Sequence, residues 1–145
     1  MHKHPRIELH GTLNELICPT CFSVFDVSAS KYIDQESPRC SQGTILKPRV
    51  VLFGESVPKQ KIIDSKKAID SAQILLIIGT ASDVSPAADL IRYAKSLGQS
   101  KVTTPGGSER IILVEINEQP TRITDLVDHF IQMSASDALN QLILK

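Results

Sequence analysis

The sequence predicts an α/β protein built on a parallel sheet and carrying a small cross-linked module. The run 74–78 is apolar at every position, which favours a central parallel strand covered on both faces. Residues 87–97 place apolar side chains at helical spacing, as in a helix packed on a sheet. Residues 12–46 are instead polar, contain all three cysteines and have too few apolar residues for a core of their own. The alternation of strands and helices after residue 48 implies right-handed crossovers.

Short strands are predicted in the first third of the chain. Residues 6–10 alternate like a strand that ends at Gly11, and residues 22–27 form a second strand. One turn of helix is predicted over residues 28–34. Residues 49–53 form a buried strand, the first of the α/β part.

Strands and helices then alternate. A helix over residues 59–72 precedes the strand 74–78, which Gly79 ends. Ser85 can cap the next helix, and Pro86 suits its first position.

The last third of the chain follows the same pattern. The helix stops at Gly98, and a polar loop over 99–110 leads to a buried strand over 111–116. A short strand over 130–133 precedes the terminal helix. The apolar stripe of that helix consists of Ala135, Ala138, Leu139 and Leu142.

The charge balance excludes a global attraction to polyanions. Sixteen basic and sixteen acidic residues in a chain of 145 leave a net charge of zero, so neither nucleic acid nor an anionic membrane is a favoured partner. No apolar run reaches the roughly 20 residues of a membrane span, and no signal-peptide core follows Met1. We therefore expect an intracellular protein of the cytoplasm, nucleus or mitochondrial matrix. In such a reducing compartment, the C-x-x-C of Cys18 and Cys21 indicates metal or redox chemistry.

The strand ends mark a candidate ligand site. In a parallel sheet, ligands bind beyond the carboxyl ends of the strands, which here are residues 53–55, 79–82 and 117–118. The second end leads into a helix whose amino end favours an anion, and the third offers an amide and a carboxylate for ribose hydroxyls. These features predict a nucleotide-type ligand. They predict no phosphate loop, because the seven glycines form neither G-x-G-x-x-G nor the P-loop pattern.

Six motifs follow one another along the chain. They are E-L-H-G at 8–11, C-P-T-C at 18–21, Cys40, L-K-P-R-V-V-L-F-G-E at 46–55, G-T-A-S-D-V-S-P-A at 79–87 and I-N at 116–117. In order and spacing they resemble the sirtuins, the NAD-dependent protein deacylases. The resemblance implies a partial Rossmann-like sheet with a small zinc-ribbon-like module. It implies a partial sirtuin-type deacylase domain over residues 1–145, with the zinc-binding-type module at 12–46 and part of the NAD-binding domain at 47–145.

The resemblance also implies roles for single residues. His10 matches the general base that deprotonates a ribose hydroxyl, and histidine is the residue type best suited to accept a proton at cellular pH. In the family this step belongs to transfer of the acyl group from lysine to ADP-ribose, with release of nicotinamide. Val51, Phe53 and Gly54 match the stretch that pairs with an acyl-lysine protein or peptide substrate by strand addition.

The implied cofactor is NAD. The residues that match NAD contacts are Gly79, Thr80, Ser82, Asn117, Glu118 and Ala135. The first three match the loop on the adenosine side, the asparagine matches the residue that holds the adenosine ribose, with the glutamate beside it, and the alanine falls against the adenine. An ordinary core position in the last helix explains the alanine equally well.

The implied zinc site is incomplete. The family holds a structural zinc ion with two C-x-x-C pairs, whose thiolates give tetrahedral geometry. Here the pair Cys18 and Cys21 is intact, but the second pair keeps only Cys40, with Gly43 in place of the last cysteine. Three thiolates can still bind zinc if a water or a further side chain completes the shell. The candidate side chains are His2, His4 and Asp26.

Two parts of the family pattern are absent ahead of His10, namely a glycine-rich NAD loop and a T-Q-N-x-D segment. The chain therefore resembles the carboxyl-terminal half of a sirtuin, and we expect its sheet to leave an apolar edge and face uncovered. Two alternatives stand beside a deacylase. One is a non-catalytic sirtuin remnant that acts as an interaction module. The other is a generic nucleotide-binding α/β domain, against which the spacing of His10 and the C-x-x-C argues.

Overall fold

The computed structural model describes residues 6–27, 37–99 and 110–143. The chain divides into two compact units, one ending at Lys61 and one beginning at Ile62, and each is described by itself. The predicted helical turn over 28–34 and nearly all of the predicted polar loop lie outside the described residues.

The first unit contains a three-stranded antiparallel sheet in the order β2-β1-β3. Its strands are β1 (Gly11–Ile17), β2 (Val24–Asp26) and β3 (Lys47–Val50). Leu16 on β1 is paired with Phe25 on β2 and with Pro48 on β3.

Gly11 begins a strand rather than ending one, so the predicted strand over 6–10 is wrong. The Gly11 amide donates to the carbonyl of Glu8 (3.0 Å) and closes a turn that leads into β1. Gly11 has φ +85°, and a Cβ built on it would lie 2.0 Å from the carbonyl oxygen of Arg49. Glycine is therefore required by both the conformation and the close approach of β1 and β3.

The predicted buried strand over 49–53 is also wrong. β3 covers Lys47–Val50, pairs antiparallel with β1, and exposes Pro48 and Arg49 to solvent. Adjacent residues of a strand point to opposite faces, and because Pro48 and Arg49 are both exposed, neither face of β3 is fully buried. The predicted strand over 22–27 is real but shorter, Val24–Asp26.

Cysteines make up half of the buried core of the first unit. Its buried residues are Leu16, Cys18, Cys40 and Leu46. Partly buried Cys21, Phe25 and Val27 pack against them. This composition agrees with the expectation that the module lacks an adequate apolar core of its own.

The second unit is a parallel sheet, as predicted, and its strands lie in the order β4-β5-β6. Its strands are β4 (Ile74–Ile78), β5 (Ile112–Asn117) and β6 (His129–Gln132). The helices are α1 (Lys59–Asp70), which enters this unit at Ile62, α2 (Ala87–Gln99) and α3 (Ala135–Ile143), with a 3-10 turn at Thr124–Leu126. Gly98 therefore lies within α2 rather than ending it.

One face of this sheet is well covered. Ile69 of α1 and Ile91 and Ala94 of α2 form a buried cluster with Ile77 and Leu113 of the sheet. Ile123, in the segment after β5, belongs to the same cluster. The apolar stripe predicted for α2 is thus its buried face.

The opposite face is partly open, which corrects the prediction that β4 is covered on both sides. Among the described residues β4 pairs only with β5, so it is an edge strand. Ile74, Leu76 and Ile112 are 55%, 46% and 42% exposed. Ile74 is in register with Ile112, so these side chains share a face. The apolar edge and face expected from the resemblance are therefore present. No helix of the described part of the chain has the length and apolar character to cross a membrane.

Candidate functional site

An open pocket of about 530 Å³ lies at the carboxyl ends of β4 and β5. Two segments line it, one after each strand. The lining residues are Gly79, Thr80, Ala81, Asp83, Asn117, Gln119, Pro120, Thr121 and Arg122. The pocket occupies the position where parallel sheets bind ligands, and three predicted ligand residues (Gly79, Thr80 and Asn117) meet there.

The segment after β4 is a tight turn that contains two residues with positive φ angles. Gly79 has φ +62°, and its amide donates to the carbonyl of Ile116 on the neighbouring strand (3.1 Å). Ser82 has φ +56° and donates its amide to the hydroxyl of Thr80 (3.2 Å). The Ser82 side chain is 4% exposed, lies outside the pocket lining, and its Oγ finds no hydrogen-bond partner among the described residues.

The Asn117 side chain joins the two walls of the pocket. Its Nδ2 donates to the carbonyl of Thr80 (3.0 Å), and its Oδ1 accepts from the amide of Glu118 (3.0 Å). Asn117 therefore connects the two walls by hydrogen bonds to each of them. The exposed Glu118 is not part of the lining.

A second tie crosses the mouth of the pocket. Arg122 forms an ion pair with Asp83 (3.0 Å), and these side chains are 81% and 47% exposed. At such exposure the pair adds little stability, but it connects the segment after β4 with the segment after β5. Asp83 lies within the motif at 79–87 but was not predicted to be a site residue, and Arg122 was not singled out, because a lone charge in a polar stretch has no local signature.

Ala135 does not line the pocket. It is the first residue of α3, where the Ser134 hydroxyl accepts from the Asp137 amide (3.1 Å) and donates to the Asp137 carboxylate (2.7 Å). This capping arrangement gives the start of α3 a local cause. A separate apolar hollow of about 270 Å³ beside α3 is lined by Ile131, Met133, Ala138, Gln141 and Leu142.

His10 is exposed and lies in the turn that precedes β1. Its carbonyl accepts a hydrogen bond from the amide of Val51 (2.9 Å), so the candidate base and the start of the candidate peptide-pairing stretch are joined through the backbone. β3 lies at the edge of its sheet among the described residues, which leaves one side open to strand addition.

The stretch after β3 is held in a turn by Glu55. Its carboxylate accepts from the Leu52 amide (3.1 Å) and pairs with Lys47. The hydrogen bond from Lys47, followed by that from Leu52, holds the pKa of Glu55 below its usual range. Within this turn Phe53 is 97% exposed and Gly54 has φ +87°.

The three cysteines converge. Their sulfur atoms all lie within 4.8 Å of one another, and the Sγ atoms of Cys18 and Cys40 are 3.6 Å apart. The Cys21 amide points at the Cys18 sulfur (3.4 Å), and together with the Thr20 amide it lowers the pKa of the Cys18 thiol to about 6. Burial opposes this shift but is outweighed.

These sulfur positions fit a metal ion. Zinc–sulfur bonds of about 2.3 Å in tetrahedral geometry place sulfurs roughly 3.8 Å apart. Among the described residues the group contains Cys18, Cys21 and Cys40 alone, and Asp26 does not join it. His2 and His4 lie outside the described residues. Gly43 has no side chain to offer a metal, and all three cysteines of the chain are already in the group.

Solved structures share this fold. A Sir2 homologue in complex with NAD matches with a TM-score of 0.80 and 28% identity over 95% of this chain and 49% of that one. A mutant Sir2 homologue in complex with ADP-ribose matches with a TM-score of 0.80 and 27% identity over 95% of this chain and 51% of that one. The architecture is therefore that of a Sir2-type protein.

The sequence comparisons agree. Residues 4–86 match the Sir2 family. The NAD-dependent protein deacylase 2 of Pyrobaculum aerophilum is 33% identical over 94% of this chain and 50% of its own length. The NAD-dependent protein deacetylase 1 of Geobacillus kaustophilus is 34% identical over 94% of this chain and 50% of its own length. This chain belongs to the Sir2 family, and it spans about half the length of the curated relatives it matches.

Proposed function

We propose that this chain is part of an NAD-dependent protein-lysine deacylase and carries the adenosine side of the NAD site, the general base and the peptide-pairing strand. One observation carries the proposal most strongly. The pocket between the segments after β4 and β5 brings Gly79, Thr80 and Asn117 together at the site-bearing edge of a parallel sheet. Relatives named as NAD-dependent protein deacylases match 94% of the chain.

In this proposal each element has a chemical task. NAD, when bound, supplies the ADP-ribose that accepts the acyl group. Gly79, Thr80 and Asn117 hold its adenosine side, and Ser82 and Glu118 support the same two segments. The His10 imidazole takes the proton of a ribose hydroxyl, and its exposure leaves it accessible to a substrate.

Substrate recognition is assigned to the edge of the first sheet. An acyl-lysine peptide pairs with the backbone of the stretch containing Val51, Phe53 and Gly54, a mode that tolerates many peptide sequences. The open edge of β3 and the exposure of Phe53 support this assignment.

A zinc ion is proposed at Cys18, Cys21 and Cys40, with a structural task. Three thiolates satisfy most of a tetrahedral shell and link the turn after β1 to the turn before β3. Metal analysis of the purified chain should return about one zinc per chain. A protein prepared with zinc present and found free of it contradicts this part of the proposal.

The nucleotide site is tested by calorimetric titration of the chain with ADP-ribose. We expect saturable binding that Asn117→Ala weakens by about tenfold or more, because the tie between the walls is lost. Asn14→Ala, an exposed change in the first unit, is the matched control and should leave affinity unchanged. Absence of binding by the unaltered chain contradicts the proposed site.

Catalysis is tested separately. We expect no measurable deacylation by the chain alone and activity when a polypeptide carrying the amino-terminal half of a Sir2-family deacylase is added. His10→Ala should abolish that activity while ADP-ribose affinity is retained. Activity that survives His10→Ala contradicts the assignment of the base.

A second candidate function is favoured by one observation. The exposed side chains of Ile74, Leu76 and Ile112 on an edge-strand sheet form an association surface. A non-catalytic remnant acting as an interaction module would use this surface and would bind no ADP-ribose. The calorimetric titration therefore separates the two functions.

A further inference from the structure

A carboxylate lies fully buried in the middle of the parallel sheet. Glu115 is on β5, between β4 and β6, and is 0% exposed. None of the ion pairs formed by the described residues includes it. A buried carboxylate without a cationic partner is costly unless strong hydrogen bonds satisfy it. Its presence in a largely apolar strand therefore requires hydrogen-bond donors that compensate for its burial.

Two hydroxyl groups satisfy this carboxylate. Thr121 Oγ1 donates to Oε1 of Glu115 (2.5 Å), and Thr124 Oγ1 donates to Oε2 (2.6 Å). Both distances are in the range of hydrogen bonds strengthened by a charged acceptor. We name the three residues Glu115, Thr121 and Thr124 the carboxylate clamp.

Backbone amides fix the direction of the hydrogen bonds in the clamp. An amide N–H can only donate, so each threonine hydroxyl accepts from an amide with a lone pair and has its O–H left to donate to the Glu115 carboxylate. Thr124 Oγ1 accepts from the Thr121 amide (2.8 Å), and Thr121 Oγ1 accepts from the Ile123 amide (3.3 Å). The clamp thereby fixes the backbone from 121 to 124 and starts the 3-10 turn.

The same backbone forms a wall of the nucleotide pocket. Thr121 and Arg122 line the pocket, and Arg122 reaches Asp83 on the opposite wall. On the inner side, Ile123 is 1% exposed within the main cluster. The segment is thus hydrogen-bonded to Glu115 on its inner side and lines the pocket on its outer side.

We propose that Glu115 is a positioning residue of the nucleotide site: through Thr121 and Thr124 it holds the wall formed by residues 119–122 in its ligand-binding conformation. The proposal rests on the proposed function for the identity of the ligand. Glu115 itself does not line the pocket, so it acts only through the two threonines.

Four variants of the full chain separate this role from general stability. Glu115→Gln keeps the shape but places an NH₂ donor against a hydroxyl that must also donate. Thr124→Val keeps the volume but removes the hydroxyl, and with it the hydrogen bond to the Glu115 carboxylate and the one from the Thr121 amide. Thr121→Ser keeps the hydroxyl and should leave amide exchange in this segment as it is in the unaltered chain. Ile91→Val removes one methyl group from the same core outside the clamp and is the control for destabilisation.

Amide hydrogen exchange is the first readout and requires no ligand. We expect the amides of Thr121 and Ile123 to exchange at least about tenfold faster in Glu115→Gln and Thr124→Val than in the unaltered chain, with β4 unchanged. Ile91→Val should not change the ratio of the exchange rates of these two amides to those of the β4 amides. If the Thr121 and Ile123 amides exchange at the same rates in all four variants as in the unaltered chain, the proposal is overturned.

ADP-ribose affinity is the second readout. Binding should weaken by about tenfold in Glu115→Gln and remain unchanged in Ile91→Val. Faster exchange with undiminished affinity overturns the link from the clamp to the pocket. If the unaltered chain binds no ADP-ribose, the proposed function fails, and exchange alone then decides whether the clamp holds the wall.

Discussion

The two units of this chain are stabilised by different chemistry. In the first unit, sulfur atoms occupy the centre, and only Leu16 and Leu46 accompany Cys18 and Cys40 in the buried core. In the second unit, seven buried aliphatic residues from two helices, the sheet and the following segment form one cluster. The comparison teaches that the first unit has little buried apolar area and places two thiols at its centre, whereas the second unit depends on apolar area.

The largest expected effect comes from removing a buried sulfur. Cys18→Ala should abolish hydrogen-exchange protection of β1 to β3, because the proposed zinc site would lose a buried ligand and structural zinc supplies roughly 10 kcal/mol or more in small zinc-dependent modules. β4 to β6 should keep their protection, because no sulfur contributes to their core. Simultaneous loss of protection in both units would contradict the separation drawn here.

Cys21→Ala sharpens this prediction. Cys21 is only partly buried, so its loss costs little if sulfur packing stabilises the unit and as much as the loss of Cys18 if a metal does. Comparing the two variants in zinc-loaded protein therefore identifies the source of stability.

A core truncation tests the second unit. Leu113→Ala should lower the free energy of unfolding of the second unit by about 2–5 kcal/mol, because Leu113 is 1% exposed and a cavity would remain. Leu76→Ala on the neighbouring strand is the matched control, and with Leu76 46% exposed it should cost under about 1 kcal/mol. The free energy of unfolding of each variant is measured by hydrogen exchange of the β5 amides at increasing urea concentration. Equal losses of unfolding free energy in the two variants would show that the face with Leu76 is covered.

A pair of glycine changes tests the first unit at smaller scale. Gly11→Ala should destabilise the β1–β3 pairing by about 3 kcal/mol, from the left-handed conformation and the clash with the Arg49 carbonyl. Gly43→Ala has the same conformational cost of about 1 kcal/mol but meets no atom within 4 Å. Hydrogen exchange at the Val50 and Thr12 amides measures the difference between the two destabilisations. Equal destabilisation by the two variants would rule out the close approach of β1 and β3.

The smallest effect is a pH dependence confined to the second unit. The Leu113 amide (2.9 Å), assisted by Arg110 and Lys95, holds the pKa of Asp128 below its ordinary value. The folded form thus binds this proton less readily than the unfolded chain, so the contribution of Asp128 is complete at neutral pH and is lost as the pH falls below about 4. Thermal unfolding at several pH values should show this slope, and Asp128→Asn should reduce it. A slope that Asp128→Asn leaves intact assigns the dependence to other carboxylates.

Local patterns in the sequence determined much of the second unit. The spacing of apolar residues in 74–78, 87–97 and 111–116 identified β4, α2 and β5 to within about one or two residues. Parallel pairing followed because strand and helix alternate. The six motifs determined membership of the Sir2 family, and the spacing of Cys18 and Cys21 identified the cysteine cluster, since a C-x-x-C turn brings its own two sulfurs together.

Only the tertiary structure decided where each element ends up. An apolar strand carries no record of how many neighbours it has, so β4 was expected in the centre of the sheet and lies at an edge. β3 was assigned to the parallel sheet because periodicity does not name a partner. Glu115 interrupts an apolar run, but no local pattern shows that Thr121 and Thr124 bind its carboxylate. These contacts form because the chain turns back after β5. Hydrogen bonds between side chains depend on the return path of the backbone, and that path is set by packing rather than by any local pattern.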